Sequence, residues 1–294
     1  MLSRVLQIVR EQGWYDLSQP FDKTIHFTRG PSLWMRLSRQ GQGGVHLKFS
    51  ELASLVDEAH RSQRASQDFP ALAPHHLGFA SRPPLEVLAS QALDFLAVRA
   101  GTWLDRGHGG RVADGVTGYF ARMVQLSAGR SGGQRRPDWF EALRDFNASH
   151  PRWRDVAREI DRLGHALESL PAMAQHGDLV LNNLGLAEGG RLVVFDWEDY
   201  GRVDLPGLDL FTLQWSLEQE ASSRAGLQGL AHRAVQTLVS TGCEALALPE
   251  PVYRDLAVAY ALVFRWLKRP YGVPIQQRVD RWIDSLLEAC PPSR

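Results

Sequence analysis

Cysteine is nearly absent. Cys243 and Cys290 are the only two in 294 residues, and they lie in different segments. That excludes a disulfide-stapled scaffold and a thiolate zinc site, and it fits a reducing compartment. Lysine is also scarce: of 33 basic residues only Lys23, Lys48 and Lys268 are lysine. Ammonium and guanidinium are not interchangeable, so each lysine is a candidate for a specific task. Net charge is missing too, since 33 acidic residues match the 33 basic ones. No global field then draws in nucleic acid or an anionic membrane. Long apolar runs are absent. The longest, Leu256 to Phe264, covers nine residues, where a membrane span needs about twenty.

What is present is the balance of a folded globular protein, with 44% hydrophobic and 22% charged residues. Such a chain is too hydrophobic for intrinsic disorder. Leu2, Val5, Leu6 and Val9 recur at helical spacing, while Arg4, Arg10 and Glu11 interrupt any apolar stretch. That predicts an amphipathic helix rather than a secretory leader, and a cytoplasmic location.

Up to about residue 91 the chain reads mainly as strands. Leu33 to Leu37, Val45 to Phe49, Leu77 to Ala80 and Leu85 to Leu88 are strand candidates, with helical spacing between Ser50 and Ser66. In the second of these strands Val45, Leu47 and Phe49 share one face, leaving His46 and Lys48 on the polar one. From residue 92 onward helices dominate. Trp153 to Leu170 carries a continuous apolar stripe between Pro151 and Pro171. Tyr253 to Leu267 is apolar on almost every face, so it should be a buried helix. Ser127 to Pro137 reads as a surface loop. Arg265, Lys268 and Arg269 read as cations at a helix C-terminus, where the helix dipole favours them. The expectation is an α+β chain of two lobes, residues 1–91 and 92–294.

The informative stretch runs from Gln175 to Trp197. Gly189-Gly190 is a strong signal for a two-residue hairpin loop. In that register Leu184 faces Phe195 and Leu186 faces Val193, which sets Asn183 opposite Asp196. Asp178 enters just before the hairpin. Three oxygen-bearing side chains then converge, as a hard cation such as Mg²⁺ requires. Together with a lysine on a distant strand, they are the parts that phosphoryl transfer needs: positioning, and neutralisation of charge.

His176-Gly177-Asp178-Leu179, an Asn five positions after that Asp, an apolar strand ending in Asp196-Trp197, and then Gly207-Leu208-Asp209-Leu210 resemble the aminoglycoside phosphotransferase/choline kinase family. The resemblance is specific over about Leu170 to Leu213 and looser elsewhere. It implies a protein-kinase-like fold, with a small N-terminal antiparallel sheet lobe and a larger helical C-terminal lobe. It also implies transfer of the γ-phosphate of ATP or GTP, with Mg²⁺, to a hydroxyl of a small molecule. On that resemblance Asp178 is the catalytic base, and Asn183 and Asp196 are the metal ligands. Lys48 holds the nucleotide phosphates and pairs with Glu58, with Glu51 as the other choice. Ser32, in the short phosphate loop Arg29-Gly30-Pro31-Ser32, binds the cofactor. His176 and Asp209 steady the catalytic turn. Glu198 and Asp199 are candidates to face the acceptor. A different class of reading is a nucleotide-binding pseudokinase that acts as a regulatory module. The acceptor itself is not encoded in a motif. Residues 92–294 hold 25 acids and 23 bases, too even a balance to support a polycationic antibiotic.

Overall fold

The computed structural model describes residues 1–27, 31–40, 42–128, 139–147, 150–224 and 227–289. Most of the expected loop from Ser127 to Pro137 lies outside them, as do Arg29 and Gly30. The chain forms two compact units, and they are not consecutive stretches. The first holds Met1–Ala97 together with Leu184–Glu198; the second holds Val98–Asn183 and Asp199–Arg294.

In the first unit, strands β1 (Asp22–Phe27), β2 (Leu33–Arg39), β3 (Gln42–Ser50), β4 (His76–Arg82) and β5 (Leu85–Ala92) form one antiparallel sheet in the order β1-β2-β3-β5-β4. Alternation along β3 buries Val45, Leu47 and Phe49 on one face, where they pack with Met35, Leu37 and Val87. The helix Leu2–Glu11 joins that core through Val5, Ile8 and Val9. The helix Val56–Asp68 begins later than the Ser50 expected for it. Ser50 is the last residue of β3, and its hydroxyl accepts the Leu52 and Ala53 N–H groups, which turns the chain away from helix.

A second, three-stranded sheet belongs to the same unit: β6 (Phe95–Ala97), β7 (Leu184–Ala187) and β8 (Leu192–Val194). The β7–β8 hairpin corrects the expected register. Leu184 pairs with Val194 and Leu186 with Leu192, one residue away from the expected alignment. The reason is the loop. Ala187 N–H donates to the Arg191 carbonyl at 2.8 Å, so Glu188, Gly189 and Gly190 form a three-residue connection. Both glycines take positive φ, 73° and 77°, which a side chain would resist. The ladder therefore stops at Leu184 and Val194. Asn183 ends a 3-10 turn, Leu181–Asn183, and Asp196 follows the last paired residue at φ 60°. The expected cross-strand pairing of Asn183 with Asp196 is not formed.

The second unit is helical. Its centre is the helix Ala257–Leu267, buried from Val258 to Arg265, with Ala142, Phe146, Val156 and Ile160 among the buried residues of neighbouring helices. The expected single helix from Tyr253 is broken at Leu256, which ends one helix, Glu250–Asp255, and caps the next. No helix among the described residues is long and apolar enough to cross a membrane.

Candidate active site

In the first unit Lys48 sits on β3 opposite Trp34 of β2, its Nζ 5.2 Å from the indole ring centroid. Its side chain is only 10% exposed, yet it carries two ion pairs, to Glu58 Oε2 at 2.7 Å and to Glu198 Oε2 at 2.9 Å. A lysine this deeply set would lose its proton more readily through burial. The two carboxylates overcome that effect and hold its pKa above the ordinary value. Glu58 responds the other way: burial pushes its carboxyl up, against the pull of Lys48. Of the two glutamates weighed from sequence, Glu58 is the partner; Glu51 lies 3.8 Å from Arg4 instead. Glu198 is a partner that the sequence did not reveal. Ser32 is buried just ahead of β2.

In the second unit the turn His176-Gly177-Asp178 is fixed by Asp209, which is fully buried in the first turn of the helix Leu208–Ser222. Asp209 Oδ2 accepts the His176 N–H at 2.7 Å and the Tyr119 hydroxyl at 2.7 Å, and Oδ1 accepts the Gly177 N–H at 2.9 Å. Burial raises its pKa, opposed chiefly by His176. His176, itself buried, accepts the Asp178 N–H on Nδ1 at 3.2 Å. Gly177 has φ 84°, and a Cβ there would lie 2.9 Å from the Asp199 Cβ. Only glycine fits that turn without displacing Asp199.

The Asp178 carboxylate is held on one side. Its Oδ2 lies 2.9 Å from Lys268 Nζ and accepts the Asn183 amide N–H at 3.3 Å. Asn183 also donates to the Asp178 carbonyl at 2.9 Å. Oδ1 receives no donor from the described residues and is left for a ligand. Burial raises the Asp178 pKa, while Lys268 pulls it down. Lys268 also lies 3.1 Å from Asp199 Oδ2, and Asp199 is gripped by Arg202 at 2.7 Å. Burial works against ionising Asp199, but the two cations outweigh it and keep its carboxyl below the ordinary range. Lys268 in turn has its pKa raised, because Asp178 and Asp199 together overcome the burial that would otherwise lower it.

Lys268 caps the helix Ala257–Leu267, where sequence reasoning saw only a cation suited to a helix end. The one signal for it was the rarity of lysine. Asp178 and Lys268 both line a cavity of about 700 Å³ in this unit, a size that suits a small-molecule ligand. Glu198 and Asp199, expected to face an acceptor, instead face Lys48 and Lys268 in their separate units.

Among the described residues no three His, Cys, Asp or Glu side chains gather as a metal cluster. Asn183, in the second unit, offers an oxygen that suits a metal arriving with phosphate, while Asp196 belongs to the first unit. Mg²⁺ commonly takes one or two protein oxygen ligands and completes its shell with phosphate oxygens and water. The Asn183 amide nitrogen is engaged by Asp178, which leaves its oxygen as the remaining donor atom.

The profile of the phosphotransferase enzyme family matches residues 42–239, more than half of the chain. No curated protein matches it. Solved structures share its fold at low identity. The aminoglycoside phosphotransferase APH(4)-Ia aligns with a TM-score of 0.67 at 14% identity, covering 98% of this chain and 99% of that one. Choline kinase LicA from Streptococcus pneumoniae gives 0.56 at 14%, over 96% and 98%. Amicoumacin kinase hAmiN, solved in complex with AMP-PNP, Ca²⁺ and Ami, gives 0.62 at 14%, over 97% and 96%. The chain belongs to the phosphotransferase enzyme family, and phosphoryl transfer on a kinase-like α+β fold is its chemistry.

Proposed function

We propose that the chain moves the γ-phosphate of ATP to a hydroxyl group of a small molecule, with Asp178 as the base. The observation that carries this reading is the Asp178 carboxylate. It lines a ligand-sized cavity, its Oδ2 is tied to Lys268 and Asn183, and its Oδ1 is open. A hydroxyl donating to Oδ1 is oriented for attack. Its oxygen bonds to the γ-phosphorus as the bond from that phosphorus to the bridging oxygen breaks and ADP leaves. The hydroxyl proton passes to Asp178 and then to water. Lys268 opposes the burial that raises the Asp178 pKa and fixes its rotamer, acting as a positioning residue.

Lys48, oriented by Glu58 and Glu198, offers a point charge to the nucleotide phosphates, with Ser32, just ahead of β2, as a further cofactor-binding residue. Asn183 and Asp196 are the residues that would hold a divalent cation, which would neutralise charge on the transferred phosphoryl group. His176 and Asp209 hold the catalytic turn in shape. ATP and a divalent metal are favoured by relatives solved with AMP-PNP, one of them with Ca²⁺. A pseudokinase would have no use for a carboxylate poised in this way.

The test is ADP release by the purified chain with Mg-ATP and a panel of alcohols, repeated with Asp178→Asn. Turnover should fall by several orders of magnitude while nucleotide affinity stays within a few-fold, because the role of Asp178 is met in the transition state. Equal turnover by the variant on the true acceptor would remove Asp178 from the reaction.

A further inference from the structure

The cavity that Asp178 lines says something about what enters it. One part of its wall is apolar, with Val180, Trp215, Phe264 and Ile275. The charged groups around it are Asp178, Glu220, Arg99, Lys268 and Arg278. Both acids already have cations: Asp178 has Lys268 at 2.9 Å, and Glu220 has Arg224 at 2.8 Å. Lys268 is in turn matched by Asp178 and Asp199. The two arginines are not matched. Arg99 donates to the neutral amide oxygen of Asn182, and Arg278 has no carboxylate partner among the described residues. The lining thus carries three basic groups against two acids, each acid already paired, and its two arginines face no carboxylate among the described residues.

A polycationic acceptor needs the reverse. Each of its ammonium groups would meet an acid already taken or an arginine that repels it. An oxyanion fits, because guanidinium forks bind carboxylates and phosphates through paired N–H donors. We propose that the acceptor is an anionic alcohol: a small molecule with a hydroxyl for Asp178, a carboxylate or phosphate for Arg99 and Arg278, and an apolar body against Trp215 and Phe264. The proposal rests on the kinase reading of the same site and adds the substrate class to it.

The experiment measures ADP release with Mg-ATP for matched sets of alcohols carrying an aromatic or branched apolar group. One arm holds hydroxy acids, a second holds phosphomonoesters with a free hydroxyl, a third holds the neutral counterparts of both (amides or methyl esters of the acids, and the parent diols of the phosphomonoesters), and a fourth holds amino alcohols and aminoglycosides. One of the two anionic arms should exceed its neutral counterpart in kcat/KM by about tenfold or more, the size of one charge-assisted contact. The arm that responds identifies the anion. Arg99→Gln and Arg278→Gln, both at exposed positions, should each bring that ratio down toward one, mainly through KM. If the neutral or cationic arm gives the best Asp178-dependent turnover, the anionic class is wrong and the kinase reading stands. If the arginine variants keep the full anionic preference, the binding assignment is wrong. Absence of Asp178-dependent turnover in all four arms overturns the kinase reading and the proposal with it.

Discussion

Lys268 Nζ lies 2.9 Å from Asp178 Oδ2. This joins the end of a buried helix to a turn far from it in sequence. The ammonium reaches the carboxylate from a helix C-terminus, and Asp199 with Arg202 holds it there. Burial alone would leave Asp178 protonated over more of the pH range. A base must be ionised to accept a proton, so on the proposal that Asp178 is the base this pair would tie catalysis to the charge on Lys268.

Replacing Lys268 with Met should therefore move the acid limb of the pH profile. Burial raises the Asp178 pKa and Lys268 opposes it, so removing the cation lets the pKa climb further. Activity should then appear only at higher pH, with kcat near neutrality reduced by about tenfold or more. The apparent constant for ATP should change much less than kcat. A pH profile of kcat/KM checks this. A Met variant whose acid limb coincides with the wild type would show that Lys268 only packs the helix end.

Asp199 gives a stability prediction of definite sign. Its folded-state pKa is depressed, so it stabilises the fold above the unfolded carboxylate pKa of about 4. That contribution disappears as pH falls through the folded value. Asp199→Asn should cost about 3 kcal/mol near neutrality, because it leaves Lys268 and Arg202 short of a buried partner. The difference from wild type should shrink as pH falls below the unfolded carboxylate value, because the linked stabilisation by the Asp199 charge is lost on the way to the folded value. Urea midpoints at pH 7 and pH 3 test this, and a constant difference between the two would contradict it.

Local pattern made some of this architecture legible and long-range contact made the rest invisible. Alternation in Val45 to Phe49 marked the strand and placed Lys48 on its polar face, because period two leaves little choice once one face is apolar. The His176-Gly177-Asp178 turn and Asp209 stood out through their resemblance to the motifs of a known phosphotransferase family. The hairpin register was missed by one residue. Gly189-Gly190 suits a two-residue loop and a three-residue loop equally, and only the hydrogen bond from Ala187 to Arg191 decides between them. The pairs Lys48–Glu198 and Lys268–Asp178 lay beyond any local signal, since each joins segments that meet only on folding.

Lys48 is held by two carboxylates on one nitrogen, and that geometry predicts how substitutions behave. Lys48→Met should raise the apparent constant for ATP by about tenfold and lower kcat, since a charged contact to phosphate is lost. Lys48→Arg should not restore activity. Its planar fork spreads the charge over several nitrogens and cannot put one donor atom between Glu58 and Glu198. Initial rates over a range of ATP concentrations measure both effects. Wild-type kinetics in the arginine variant would count against the assignment.

The metal prediction concerns Asn183 and Asp196, neither of which belongs to the hairpin ladder. Asp196 sits at φ 60°, in the left-handed region. Asp and Asn tolerate that region because a short polar side chain can bond locally, whereas Ala does not. Asp196→Asn is therefore the cleaner variant: it keeps the backbone and one oxygen and removes the charge. Mg²⁺ affinity in the presence of a non-hydrolysable ATP analogue should drop by at least about tenfold. Asn183→Ala should cost less, since it removes a neutral oxygen, although it also releases the Asp178 carbonyl that its amide caps. The two effects separate in the readout. Loss of a metal ligand appears in calorimetric titration of Mg²⁺, while a loosened catalytic turn appears in kcat at saturating metal. If Asp196→Asn binds Mg²⁺ and nucleotide as tightly as wild type, the metal is held elsewhere.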